Sequence, residues 1–110
     1  MSLKIVPTPE FSKQTKKLSK EYKNLVNDLK KLQELLIQNP LSGTSLGNGC
    51  YKIRLANSSI PTGKSGGFRV ITYCIDKNDT LRLLLIYSKT ERSTITDKEL
   101  YDVLKNNGLA

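Results

Sequence analysis

The apolar residues of this chain recur with two different periods, and the change between them is what most constrains the fold. From Leu18 to Leu36 they follow one another in steps of three and four, the spacing of one buried helical face. After Gly49 the period becomes two, as in strands that bury one face. The sequence therefore predicts a helical part followed by a sheet-forming part.

The helical part is preceded by a short strand. Residues 3–6 are mostly apolar and predict that strand, and Pro9 suits the first turn of a helix. Ser19 and the charges around it could divide the helical run into two antiparallel helices, although the unbroken spacing also permits one long helix. Asn39 and Pro40 end the run.

A polar, glycine-rich loop is expected at residues 41–49, before the sheet. Three strands with β-branched and aromatic residues follow, at residues 51–55, 67–75 and 81–88. Thr96, with Glu99 three residues later, forms a capping box that begins a last helix. The expected fold is α+β, with the order β-α-α-β-β-β-α, and 110 residues suit a single domain, residues 1–110.

The charge of the chain indicates a polyanionic partner. The formal net charge is +8 and the isoelectric point is near 9.6. The charge favours nucleic acid as the partner over an acidic protein or a membrane surface. The alternative is that the lysines only keep the protein soluble. No apolar stretch is long enough to span a bilayer or to act as a signal peptide, so we expect a cytoplasmic protein without a membrane partner.

The distribution of charge is more informative than its sum. Residues 35–75 contain four cations and no Asp or Glu. The period of two places Lys52 and Arg54 on one face of their strand, and Arg69 and Tyr73 on one face of the next. If the three strands pair as consecutive hairpins, these side chains converge with others nearby, namely Lys64, Lys89, Glu91 and Arg92.

Several kinds of site are excluded by the residues themselves. The chain has no histidine, which removes imidazole-activated nucleophiles and histidine-ligated metal sites. Cys50 and Cys74 are too far apart for a zinc-binding CxxC pair, and we expect them to be reduced. Lys64 lies in a Gly-Lys-Ser sequence, but position 58 is Ser58 instead of glycine and the segment leads into a strand, so it is not a P-loop. We therefore expect no metal and no cofactor.

A cluster of cations can act chemically on RNA. The ribose 2′-hydroxyl is an internal nucleophile, so the protein needs only to align it, remove its proton, stabilise charge on phosphorus and protonate the leaving oxygen.

The order of the motifs resembles the RelE/ParE superfamily of bacterial type II toxins, particularly its HigB-like members. The resemblance rests on Gly66 and Gly67 within "GKSGGFRVITY", on "LRLLLIYSKTERSTIT" and on Glu99, with a lysine-rich helical half ending at "NPL" and a "YKIRLA" strand. It covers nearly the whole chain. It implies a RelE-like β-α-α-β-β-β-α fold, in which a helical hairpin packs on one face of a mainly antiparallel sheet.

The resemblance also implies an activity and two partners. RelE-type toxins cleave mRNA, usually on the ribosome, without a metal, and a cognate antitoxin protein neutralises them. Arg69 matches the strand arginine of the R-V-x-x-Y pattern, which would stabilise a phosphorane-like transition state. Lys52 and Arg54 match basic strand positions that bind the RNA backbone or assist proton transfer.

The remaining site residues follow from the same resemblance. Lys64 fits the loop lysine of the K-S-G-G segment, and Lys89 fits the lysine of the Y-x-K-x-E segment as an acid or base. Glu91 is a second candidate base, and Tyr73 stacks on a base or packs in the core. Tyr101 lies within the last predicted helix, so the role of the C-terminal RelE tyrosine is not transferred to it.

Two other functions compete with the nuclease. A ParE-like toxin shares the fold but inhibits DNA gyrase by binding, and such sequences tend to carry a histidine and arginines after the last strand, where this chain has "YSKTERS". A noncatalytic RNA-binding module would also explain the charge. Its stacking platform is not evident, because the aromatic residues alternate with core positions. Arg82 and Arg92 are interpreted as surface charges.

Overall fold

The two periods of the sequence correspond to three helices and a five-stranded sheet. A computed structural model describes residues 3–60, 66–75, 80–92 and 94–110. Its strands are β1 (Lys4–Pro7), β2 (Thr44–Gly47), β3 (Cys50–Leu55), β4 (Phe68–Tyr73) and β5 (Thr80–Ser88), and its helices are α1 (Pro9–Glu21), α2 (Leu25–Gln38) and α3 (Asp97–Asn106).

The helical run forms two helices, because the backbone leaves the helical conformation at Tyr22. Thr8 caps α1 by accepting a hydrogen bond from the backbone N–H of Phe11 at 3.2 Å, and Pro9 stands in the first turn. Tyr22 has an extended backbone, and its buried ring packs edge-on against Phe68 of β4. The interpretation as two helices is therefore confirmed, but the division at Ser19 is wrong, because Ser19 lies within α1. None of the helices in the described ranges has the length and apolar character to cross a lipid bilayer.

The sheet is mixed but mainly antiparallel, as predicted. Its strand order is β1-β5-β4-β3-β2, and only β1 and β5 pair in parallel. The strongly apolar β5 lies inside the sheet between β1 and β4. Beyond Leu83, where β1 ends its pairing, α1 covers the edge of β5, and Gln14 accepts a hydrogen bond from the N–H of Ile86 at 3.0 Å.

The prediction of a loop at residues 41–49 is wrong, because this segment contains strand β2. This strand pairs with β3, so that Thr44 lies opposite Lys52. The connecting residues Asn48 and Gly49 have φ angles of 54° and 81°. An Asn-Gly pair with positive φ is the usual turn of a tight hairpin. The prediction failed because β2 is short and polar and has no apolar alternation.

The two faces of the sheet carry separate cores. Helices α1 and α2 cover one face, and α3 covers the other. On the α3 face, Leu100 and Leu104 pack with Ile71 and Leu85 of the central strands. An irregularity in the pairing between β4 and β5 changes the register after Ile71, which places both Leu84 and Leu85 in this core. The expected helical hairpin on one face is confirmed.

The two cysteines are free and buried, and they belong to different cores. Cys50 lies in the core under α3, whereas Cys74 lies in the core under α1 and α2. They are therefore separated by the sheet, and no disulfide joins them. Burial raises the pKa of the Cys50 thiol to about 11.

We predict that Cys50 makes the folded protein sensitive to alkaline pH. Its thiol is harder to ionise in the folded state, so its contribution to stability is complete below pH 9.0 and is lost as pH rises towards about 11. The free energy of unfolding should fall over this interval by at most about 3 kcal/mol. Urea titrations at several pH values measure it. In Cys50→Ala the free energy of unfolding should no longer show this fall between pH 9.0 and about 11. An equal fall in the variant would contradict the prediction.

Candidate functional site

Three side chains form a row across the sheet on the face covered by α3. In the pairing of β3 with β4, Arg54 lies opposite Arg69, and in the pairing of β4 with β5, Arg69 lies opposite Tyr87. Directly paired residues share a face and have Cβ atoms about 5 Å apart. The Arg54–Arg69–Tyr87 row therefore brings two of the predicted site residues into adjacent positions.

The two arginines of this row differ in exposure. Arg54 is exposed, whereas Arg69 is only 4% exposed and its Nη1 donates a hydrogen bond to the carbonyl of Phe68 at 3.2 Å. Like charges placed directly opposite one another destabilise a sheet. Such a pair is typical of a surface that binds an anion, where the lost stability is recovered on binding.

Two lysines extend the basic surface. Lys52 is half-buried and lies two residues before Arg54, on the same face of β3 and opposite Ile71. Lys89 comes directly after β5, and its backbone N–H donates to the carbonyl of Gly67 at 2.9 Å, which continues the pairing with β4. Gly67 has no room for a side chain, because a Cβ would lie 2.3 Å from the carbonyl oxygen of Leu55. The backbone at Gly67, just before β4, is therefore closely packed against β3.

Arg92, interpreted from the sequence as a surface charge, is partly exposed and lies beside the row. Its guanidinium carbon lies 5.1 Å from the centre of the Tyr87 ring. Its Nη2 contacts Oε2 of Glu99 at 2.6 Å, and its Nε donates to the carbonyl of Thr94 at 3.1 Å. Arg92, in the turn after β5, therefore folds back over Tyr87, in agreement with the convergence expected from consecutive hairpins.

Glu99 connects this site to the start of α3. Its Oε1 accepts hydrogen bonds from both the N–H and the hydroxyl of Thr96, each at 3.1 Å, which confirms the predicted capping box. The hydrogen bond from Arg92 is the main cause that lowers the pKa of Glu99, followed by the hydrogen bond from Thr96. One carboxylate thus caps the helix and holds Arg92 over Tyr87.

Tyr87 is held as a neutral phenol. Among the described residues its buried hydroxyl has no hydrogen-bond partner. Burial raises its pKa, and the nearby charges of Arg92 and Arg69 oppose this shift without cancelling it. A neutral hydroxyl near two cations is a hydrogen-bond donor, and the sequence pattern had assigned Tyr87 no role in the site.

Other predicted site residues do not join the row. Tyr73 lies four residues beyond Arg69 along β4, about 13 Å away, opposite Arg82 and in the core under α3. Glu91 is exposed in the turn after β5, where its N–H donates to the carbonyl of Ser88. Lys64 lies outside the described residues. Within the described ranges, no three His, Cys, Asp or Glu side chains are grouped as metal ligands would be.

The comparison with known proteins identifies the fold. No protein-family model matches the chain, and no curated protein matches it in sequence. Among solved structures, it is similar to the free state of an E. coli RelE toxin variant in which two arginines are replaced by alanine. The TM-score is 0.60 and the identity 16%, over 96% of this chain and 98% of that chain. The chain has a RelE-like fold. The RelE-like arrangement predicted from the sequence is therefore confirmed.

We predict that ionised Glu99 stabilises the folded protein, so that its contribution depends on pH. Its ionised form is favoured in the folded state, so its contribution is present above pH 4.5 and is lost as pH falls through the lowered pKa. Glu99→Gln should lower the thermal midpoint by a few degrees at neutral pH and by less in acid. Scanning calorimetry measures both. Asp102→Asn is the matched control, because its ion pair with Lys98 at 3.7 Å is exposed and should contribute little.

Proposed function

We propose that the chain is the toxin of a bacterial type II toxin–antitoxin system and acts in the cytoplasm as a metal-independent endoribonuclease on mRNA, on the ribosome. The observation that carries the proposal is the pairing of Arg54 with Arg69 beside a neutral Tyr87. Two adjacent guanidinium groups match the oxygens of one phosphate, since each can donate parallel hydrogen bonds to them.

In the proposed reaction the RNA supplies the nucleophile and the protein stabilises the transition state. The ribose 2′-oxygen attacks the adjacent phosphorus, the bond from phosphorus to the 5′-oxygen breaks, and a 2′,3′-cyclic phosphate and a 5′-hydroxyl result. Arg54 is exposed and contacts the RNA backbone first. Arg69 is buried with a hydrogen bond to its own strand, so its direction is set before RNA binds, and it stabilises the extra negative charge on phosphorus.

Proton transfer involves residues at the edge of the row. A base takes the proton of the 2′-hydroxyl, and an acid gives one to the leaving 5′-oxygen. The proposed participants are Lys89, directly after β5, and Glu91, exposed in the following turn. Lys64, which lies outside the described residues, is proposed as a third. The buried phenol of Tyr87 stays neutral and so does not offset the positive charge beside it.

The more distant residues act on the rest of the RNA. Lys52, one position along β3, binds a neighbouring phosphate of the backbone. Tyr73, at the far end of β4, contacts a nucleotide further along the strand. The cognate antitoxin is expected to present an acidic segment to the same basic surface, since the chain carries a net charge of +8.

We predict that Arg54→Gln abolishes toxicity while leaving the fold intact. Arg54 is exposed, so its loss should not unfold the protein, but the loss of one of the two guanidinium groups that hold the phosphate should slow cleavage by roughly 100- to 1,000-fold. Expression of the wild-type chain in bacteria should arrest growth and create new 5′ ends in translated mRNA. Arg82→Gln is the matched control, because that arginine lies opposite Tyr73, away from the row, and should remain toxic.

The same experiment separates the competing functions. Growth arrest with intact transcripts and reduced gyrase activity would establish the ParE-like function instead. Full toxicity of a folded Arg54→Gln protein would overturn the site assignment. Arg69→Ala should also be inactive, and circular dichroism must first show that this variant is folded, because Arg69 is buried.

A further inference from the structure

A cleft lies at the edge of the sheet, beside the Arg54–Arg69–Tyr87 row. It has a volume of about 290 Å³ and lies between α1 and α3, where β1 no longer covers β5. Glu10 and Gln14 of α1 form one wall, Val103 and Asn107 the other, and Leu85 of β5 contributes an apolar surface. We call it the edge cleft.

The edge cleft is continuous with the Arg54–Arg69–Tyr87 row. Arg92 lines the cleft and also lies over the Tyr87 ring, and Leu85 is two residues before Tyr87 on the same strand. Two residues of a strand span about 7 Å and neighbouring strands are about 5 Å apart, so the cleft at Leu85 begins about 7 Å from Tyr87 along β5, and Tyr87 lies one strand spacing from Arg69. A group attached to a phosphate at the arginines can reach it.

The polar groups of the edge cleft are already oriented. Because a backbone N–H can only donate, the amide oxygen of Gln14 must face Ile86, and its NH₂ is left as a donor. Asn107 donates through Nδ2 to the carbonyl of Val103 at 2.8 Å, which leaves its Oδ1 as an acceptor. An apolar surface with a fixed donor and a fixed acceptor is typical of small-ligand sites.

The charges of the edge cleft determine what kind of group it accepts. Glu10 and Glu99 both line it, so a second phosphate is repelled. A neutral, flat group with hydrogen-bonding edges fits better. The planar guanidinium of Arg92 can stack on such a group, as arginines do on unpaired bases of RNA.

From these features we infer that the edge cleft binds one unpaired nucleobase, next to the phosphate held by Arg54 and Arg69. The inference rests on the proposed function and adds to it that the substrate must offer an unstacked base at the cleavage site. Base-paired RNA is then a poor substrate, because its bases cannot leave the helix to enter the cleft.

The test measures how much of the RNA affinity depends on the bases. A fluorescent, single-stranded hexanucleotide with methylated 2′-hydroxyls, which cannot be cleaved, is compared with the same chain lacking all its bases. The wild-type protein should bind the intact chain at least about fivefold more tightly, the effect expected of one base contact. Fluorescence anisotropy gives both affinities.

Val103→Phe fills the edge cleft without changing any charge. It should weaken binding of the intact hexanucleotide at least about fivefold and leave binding of the base-free chain unchanged. Val26→Phe is the matched control, because Val26 is 56% exposed on α2, and this variant should bind as the wild type does. If Val103→Phe fails to fold, Val103→Ala removes the apolar wall and should show the same selective loss.

The outcomes distinguish the two proposals. Unchanged affinity of a folded cleft variant for intact RNA overturns the nucleobase site alone. Failure of the wild-type protein to bind either chain overturns the proposed function together with this site.

Discussion

The antiparallel pairing of β4 with both of its neighbours determines the rest of the site. It places Arg69 between Arg54 and Tyr87, and it sets which side chains face α3. Because strand side chains alternate between faces, a shift of one residue in either pairing would move Arg69 away from its partners or into the core under α1 and α2. The buried apolar residues of β4 on both faces, such as Val70 and Ile71, make such a shift unfavourable.

Stability and binding make opposite demands on this face of the sheet. The paired arginines destabilise it, while the Arg92–Glu99 contact and the capping box of Thr96 tie α3 to the turn after β5. The same contact holds Arg92 over Tyr87, so the residues that stabilise the start of α3 also shape the site. A variant at Glu99 is therefore expected to affect both properties.

The RelE-like fold does not by itself establish an activity. The TM-score of 0.60 to the E. coli toxin variant, at 16% identity, shows a shared architecture, and one architecture can carry different functions. The nuclease proposal instead depends on the chemistry of the Arg54–Arg69–Tyr87 row. The nucleobase site proposed for the edge cleft would allow such a surface to distinguish an unpaired base from a duplex.

Local patterns determined the extent of the helical run, the capped last helix, most of the strands and the faces of β3 and β4, because periodicity and capping depend on residues close in sequence. They also placed Arg54 and Arg69 on the sheet surface that bears the site. Only the tertiary structure decided that Tyr87 and Arg92 join them and that Tyr73 lies apart, because register and the path of a turn depend on packing between distant segments. The sequence analysis missed β2 for the same reason. Hydrogen bonding to β3 makes this segment a strand, whereas its own polar sequence has no strand pattern.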